Sequence, residues 1–155
     1  MKPKKDAPIV PPALLYLTAA LTGAGIMVIE ILGAKMLAPY VGTSHFVWVA
    51  QITMTLLALA VGYFLGGKLA DKKPHPRALY ACIMAAAVYL AASVPFVQQV
   101  AYACLEIPSL PLGTLLASVF LYFIPLGLLA ATSPFYVRLL TREVAHVGSK
   151  AGKLS

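Results

Sequence analysis

Charged side chains are scarce in this sequence: only 11% of its 155 residues are charged, and just five are acidic. Hydrophobic residues make up 61%, and the mean hydropathy is +0.86. A soluble domain of this size leaves about a third of its surface in water, and so few polar side chains cannot cover that area. The composition therefore excludes a soluble globular domain and favours a protein embedded in a bilayer.

Cysteine and catalytic motifs are also sparse. Of the two cysteines, Cys82 should lie in the third apolar run near the cytoplasmic side and Cys104 near the outer side, too far apart in depth for a disulfide. The sequence has no Cys/His spacing typical of a metal site, no nucleophile–base pair, no phosphate-binding loop and no dinucleotide fingerprint. We therefore expect no catalytic residue, no metal, no cofactor and no enzyme activity.

Four long apolar runs dominate the chain, and each approaches the roughly 20 residues that cross a bilayer as a helix. They are residues 9–29 (extending past Glu30), 46–65, 79–97 and 110–131. Buried strands usually stop at about 4–8 residues, and the alternating pattern of a membrane barrel is missing. The runs predict an all-α, polytopic transmembrane four-helix bundle.

The basic residues are distributed asymmetrically around these runs. If there are four spans, eleven of the twelve Lys and Arg residues fall on one side, and only Lys35 falls on the other. Basic residues favour the cytoplasmic side, so we expect both termini in the cytoplasm and the chain in the inner membrane. The formal net charge of +7 is then explained by contact with anionic lipid, without nucleic acid.

Three segments follow from this pattern: a basic N-terminal segment (1–10), the transmembrane domain (11–132) and a C-terminal segment (133–155). Ser133 and Pro134 are typical of a helix start. The apolar residues that follow recur at helical spacing, with basic residues between them. We therefore predict an interfacial amphipathic helix on the inner leaflet, followed by a cytoplasmic tail.

Glu30 is an acidic residue at the end of the first apolar run. On a helix it shares a face with Ala19, Gly23 and Ala34. An ionisable group within a span is a functional hypothesis by default, although a structural hydrogen bond is the alternative. A helix that starts near Pro12 places Glu30 about 27 Å along its axis, near the outer boundary of the membrane.

Polar side chains within the other runs form two stripes. Gln51 and Thr55 share a face of the second run, and Thr114, Ser118 and Tyr122 share a face of the fourth. With Glu30, we take Gln51, Thr55, Ser118 and Tyr122 as candidates for binding a substrate or an ion. Such residues also form hydrogen bonds between helices, and the sequence leaves both interpretations open.

Small residues and a proline predict how the helices pack and bend. Ala58, Gly62 and Gly66 recur every four residues, so another helix can approach closely there, from the same bundle or from a second copy. Pro125 cannot donate a hydrogen bond to the Leu121 carbonyl. It is a candidate hinge, although static bundles also contain such prolines.

The loop between the second and third runs, residues 67–77, combines one carboxylate with several basic residues. Asp71 can cap a helix or pair with Arg77, and Gly67 precedes them. We predict that Gly67, Asp71 and Arg77 form a conformational loop whose charged contact favours one of two helix arrangements. An ordinary basic cytoplasmic loop is the alternative.

Three motifs resemble the membrane domain of fused major facilitator/spermidine synthase-like proteins. They are Glu-Ile-Leu-Gly-Ala-Lys-Met-Leu-Ala-Pro-Tyr-Val-Gly-Thr-Ser at 30–44, Gly-Tyr-Phe-Leu-Gly-Gly-Lys-Leu-Ala-Asp at 62–71, and Thr-Ser-Pro-Phe-Tyr-Val-Arg at 132–138. The resemblance covers about residues 14–155. The loop 67–77 is also similar to the loop between helices two and three of major facilitator transporters, with Asp71 in the acidic position.

The resemblance implies a major-facilitator-like partial repeat of transporter ancestry. Family members continue with further helices and an aminopropyltransferase-like domain. The resemblance covers only the membrane domain, so aminopropyl-transfer chemistry is not carried over to this chain. We expect a transporter-type module, for a small cationic solute such as a polyamine, acting as a homo-oligomer or with a second membrane subunit. The alternative is a non-transporting membrane anchor for a separately encoded, soluble spermidine-synthase-like partner.

Overall fold

The computed structural model describes residues 10–72 and 75–151, and these residues form helices and short connections. The predicted basic N-terminal segment and the end of the predicted tail lie almost entirely outside them. The α-helices are α1 (Pro12–Val41), α2 (His45–Lys72), α3 (Pro76–Ser93), α4 (Val97–Leu105), α5 (Leu110–Ser118), α6 (Ile124–Ala130) and α7 (Thr132–Ala151). A 3₁₀ turn (Val94–Phe96) joins α3 to α4, and a π-helical turn (Val119–Phe123) joins α5 to α6.

These elements form four helical rods that are long and apolar enough to cross a membrane: Pro12–Val41, Val47–Lys72, Pro76–Leu105 and Pro111–Thr141. A helix satisfies its backbone hydrogen bonds within itself, which is what a bilayer interior requires. The predicted all-α class and its four spans are confirmed. The major-facilitator likeness and the placement of both termini in the cytoplasm stay predictions.

Prolines near the ends of the first and third rods do not end them, although proline usually interrupts a helix. Pro39 lies inside α1, which continues to Val41 and stops where Gly42 adopts a φ of 77°. That left-handed conformation is the one that glycine tolerates best at a helix end. Pro95 lies in the 3₁₀ turn, and the third rod continues beyond it as α4.

The segment after Ser133 differs from the predicted interfacial helix. Only a one-residue turn at Ala131 separates α6 from α7, and the fourth rod extends to Thr141. Phe135 and Tyr136 are buried, packed with Leu15 and Leu79. In its first ten residues one face of the amphipathic pattern packs on the bundle, and the helical rod continues past residue 132. The boundary of the transmembrane domain at 132 stays a prediction.

The second and fourth rods form the centre of the bundle. In its most apolar stretch the fourth rod is 56% buried, whereas the first is only 6% buried. We call the end that carries Lys68, Lys72, Arg77 and Arg138 the basic end, and the end with the connections 42–44 and 106–109 the opposite end. Most candidate site residues lie toward the opposite end.

Candidate functional site in the bundle interior

A polar cluster lies between α2 and the fourth rod, one to two turns in from the opposite end. Gln51 is 2% exposed, and its side-chain oxygen Oε1 accepts a hydrogen bond of 2.8 Å from the Ser118 hydroxyl. Thr55, one turn along α2, donates to the Gln51 backbone carbonyl at 3.1 Å. The two predicted stripes therefore meet through the Gln51–Ser118 pair, while Thr55 uses its hydroxyl within its own helix.

The amide nitrogen of Gln51 is buried and has no hydrogen-bond partner among the residues that the structure describes. This Nε2 and the Tyr80 hydroxyl are the two such side-chain atoms in the described part of the chain. An unsatisfied buried donor costs about 1–3 kcal/mol, and lipid offers no water to relieve it. A buried polar group that stays unpaired at this cost in free energy is a candidate ligand-binding group.

Gly33 brings α1 against this amide. A Cβ atom on Gly33 would lie 3.1 Å from Gln51 Nε2 and 3.1 Å from the Tyr122 ring. Gly33 is itself buried, so the absent side chain allows α1, α2 and the fourth rod to meet at one point. Tyr122 is also buried, and its hydroxyl lies 4.0 Å from Met36 Sδ, a weak acceptor.

Glu30 lies three residues before Gly33 on α1, so the two are neighbours on the helix surface. Its side chain is half-buried, and within the described residues its carboxylate has no hydrogen bond and no ion pair. Because α1 extends to Val41, Glu30 lies about 17 Å from that end of the helix. A helix that ended at residue 29 would place Glu30 at its end, so Glu30 lies farther inside the first rod than that prediction implies.

The small-residue stripe of α2 packs against the fourth rod of the same chain. A Cβ on Gly62 would lie 2.6 Å from Ala130 Cβ, and one on Gly66 would lie 2.5 Å from Ala131 Cα. Ala58 is fully buried, and its carbonyl faces Gly127. This face is occupied within the bundle, so it is not available to a second copy.

The π-helical turn determines which residues of the fourth rod face α2. Ala130 lies twelve residues after Ser118, which would place it about 120° around an uninterrupted α-helix. The extra residue of a π turn reduces that angle to about 20°. Ser118 and Ala130 therefore both contact α2, although an α-helix would turn them apart. Pro125, the candidate hinge, lies buried just after this turn.

The charged contact at the basic end differs from the predicted one. Asp71 forms an ion pair with Arg138 of α7 and not with Arg77. The fourth rod reaches Thr141, so it places Arg138 beside the end of α2. Gly67 lines an open groove of about 590 Å³ next to this pair, with walls from α2 and α7. The residues lining the groove are Gly67, Ala70, Asp71, Pro134, Val137, Arg138 and Thr141.

Three residues that matter in the structure were not singled out from the sequence. Gly33 and Arg138 lie within recognised motifs, but their partners belong to other rods. Tyr89 donates a 2.5 Å hydrogen bond to the Phe120 carbonyl, and nothing in its sequence neighbourhood distinguishes it. Their roles depend on contacts between distant segments, which helical periodicity does not report.

The fold and the apolar surface define a multi-pass helical membrane protein. Comparisons with models of protein families, with curated proteins and with solved structures found no match. Among the described residues, no three His, Cys, Asp or Glu side chains form a group that could hold a metal ion.

Proposed function

We propose that the chain is a transporter-type membrane module that binds a small cationic solute, such as a polyamine, between Glu30 and the Gln51–Ser118 pair. One observation carries the proposal: a carboxylate without a partner lies one helical turn from Gly33, against which a buried amide without a partner is packed. The Gln51 amide is buried, and Glu30 is half-buried on an otherwise apolar rod. Ionisable and polar residues so placed typically mark solute or ion pathways.

The Gln51–Ser118 pair can present either end of the amide to a ligand. A hydroxyl can donate or accept a hydrogen bond, so Ser118 can pair with Oε1, as it does here, or with Nε2 after the amide turns. In the turned state Oε1 faces α1 and Glu30. An ammonium group could then donate to both the carboxylate and the amide oxygen.

The exposed first rod supports function as an oligomer or with a second membrane subunit. Large apolar side chains, including Leu21, Met27 and Ile31, point away from the bundle. Gly23 has nothing within 4 Å of the position that a Cβ would take. Lipid or another helix can cover this surface, and a neighbouring helix would enclose Glu30 further.

Uptake into proteoliposomes tests the proposal. We expect labelled spermidine to enter vesicles that contain the wild-type chain under a proton or potential gradient, and Glu30→Gln to reduce uptake at least ten-fold, since loss of one charged contact is worth about 1.5–3 kcal/mol. Glu106→Gln is the matched control, because Glu106 is an exposed carboxylate in the 106–109 connection. Wild-type uptake equal to that of protein-free vesicles would contradict transport.

The basic end favours a second candidate function, a membrane anchor for a separately encoded spermidine-synthase-like protein. The groove beside Asp71 and Arg138 is open, and both side chains are largely exposed. A soluble partner could bind there without any transport. Recovery of a stoichiometric synthase-like protein with the detergent-solubilised chain, and its loss with Arg138→Glu, would support the anchor; recovery of this chain alone would count against it.

A further inference from the structure

The Tyr89 hydroxyl joins the third rod to the fourth by a side-chain hydrogen bond. It donates to the Phe120 backbone carbonyl at 2.5 Å, and Phe120 lies within the π turn. Tyr89 is half-buried on α3, so its ring lies along the helix surface while its hydroxyl reaches the neighbouring backbone. A backbone carbonyl can accept two hydrogen bonds, so the Tyr89 hydroxyl can supply a donor to the Phe120 carbonyl where its own helix does not.

Pro125 removes one donor that the Phe120 carbonyl would otherwise have within its own helix. In π-helical pairing, the N–H of residue 125 would donate to the carbonyl five residues earlier, which is that of Phe120. Proline has no N–H. In π-helical pairing the Phe120 carbonyl therefore lacks its donor, whereas in an α-helix the Leu121 carbonyl would lack it. Within a bilayer, such a group must find its donor in the protein.

We propose that Tyr89 is a positioning residue for the Gln51–Ser118 pair. Its hydroxyl replaces the amide proton that Pro125 lacks, and this stabilises the π turn that aims Ser118 and Tyr122 at α2. If the turn closed to α-helical pairing, the part of the fourth rod before it would rotate by about 100° relative to the part after it. Because Gly62 fixes the later part against Ala130, Ser118 would lose Gln51.

Amide hydrogen exchange of the chain in lipid nanodiscs tests this role. We expect Tyr89→Phe to accelerate exchange in peptides covering 119–126 about five-fold, which corresponds to the loss of one neutral hydrogen bond. Tyr63→Phe is the matched control, because Tyr63 is 46% exposed on α2 and has no described hydrogen bond. Equal exchange in the two variants would overturn the proposal.

Pro125→Ala gives a second, sharper test. The new N–H at residue 125 can satisfy the Phe120 carbonyl, so Tyr89→Phe should add no further exchange in the Pro125→Ala background. A five-fold effect of Tyr89→Phe in both backgrounds would show that the hydroxyl acts independently of the amide proton that Pro125 lacks, and would contradict the assigned role. This comparison also identifies a variant that simply misfolds, since misfolding is not rescued by Pro125→Ala.

The inference rests on the proposed function only for its consequence in transport. If the wild-type chain moves spermidine, Tyr89→Phe should raise the half-saturating concentration about five-fold and Pro125→Ala should restore it. If the wild-type chain moves nothing while Tyr89→Phe still accelerates exchange at 119–126, transport fails and the positioning role stands. If exchange is unchanged while transport is intact, the positioning role fails and the proposed transport function stands.

Discussion

The contact between α2 and the fourth rod has two halves that are held together by different interactions. Toward the basic end, Gly62 and Gly66 bring the two backbones into contact without polar side chains. Toward the opposite end, Gln51 and Ser118 join the same helices by a side-chain hydrogen bond, with one donor left over. Close packing has one arrangement of lowest energy, whereas a hydroxyl–amide pair has two. The glycine half therefore holds the two helices in one arrangement, and we propose that the polar half is the part that responds to a ligand.

The π turn lies at the junction between these halves. It allows one helix to present Ser118 above the turn and Ala130 below it to the same neighbour, at the cost of backbone groups that pair poorly. Such turns frequently occur at functional sites. The difference between the halves thus becomes testable: substitutions in the glycine half should change stability, and those in the polar half should change binding more than stability.

The largest effect on stability is expected from Gly66→Ala. A Cβ at residue 66 would lie 2.5 Å from Ala131 Cα, so the two backbones must separate. We expect a loss of about 1–3 kcal/mol in the free energy of unfolding, the usual cost of overpacking, measured by denaturation in mixed micelles. Gly67→Ala is the control, because nothing lies within 4 Å of its Cβ position. Equal stability of the two variants would remove the distinction between the halves.

A smaller effect is expected from Ser118→Ala in the polar half. The change leaves both ends of the Gln51 amide without a partner, and we expect it to cost about 1 kcal/mol. Gln51→Leu should cost less, because it removes the unpaired donor together with the bond, while the Ser118 hydroxyl can bond to its own helix backbone. Both variants should abolish the spermidine uptake that the exposed-site control Gln98→Leu retains. A larger loss of stability for Gln51→Leu than for Ser118→Ala would contradict the assignment of the unpaired donor.

The smallest effect is expected beyond the glycine half, at the Asp71–Arg138 ion pair. Their side chains are 66% and 44% exposed, and exposed pairs contribute about 0.2–1 kcal/mol. A double-mutant cycle with Asp71→Asn and Arg138→Gln should give a coupling energy in that range, and added salt should reduce it. A second cycle, in which Arg77→Gln takes the place of Arg138→Gln, should give no coupling energy. A coupling energy between Asp71 and Arg77, with none between Asp71 and Arg138, would support the contact predicted from the sequence and contradict the observed ion pair.

The candidate site could be predicted from the sequence only in part. Helical spacing placed Gln51 and Thr55 on one face and Ser118 and Tyr122 on another, and the structure joins these faces through one hydrogen bond. Spacing alone could not place Gly33 between them, because the rotation of α1 relative to α2 depends on packing. The partner of Asp71 was missed because Arg138 lies 67 residues away in the chain, whereas Arg77 is a neighbour in the sequence.

The sequence by itself determined the helical class, the number of helices apolar enough to span a membrane, and the approximate residue at which each begins. These features depend on local properties, since a bilayer requires about 20 apolar residues for each crossing and backbone hydrogen bonds within each segment. Only the tertiary structure decided that the glycines of α2 face the fourth rod and that Tyr89 bonds the Phe120 carbonyl. Those contacts depend on the rotation and register of helices far apart in the chain, and a π turn shifts that register by about 100° for one added residue.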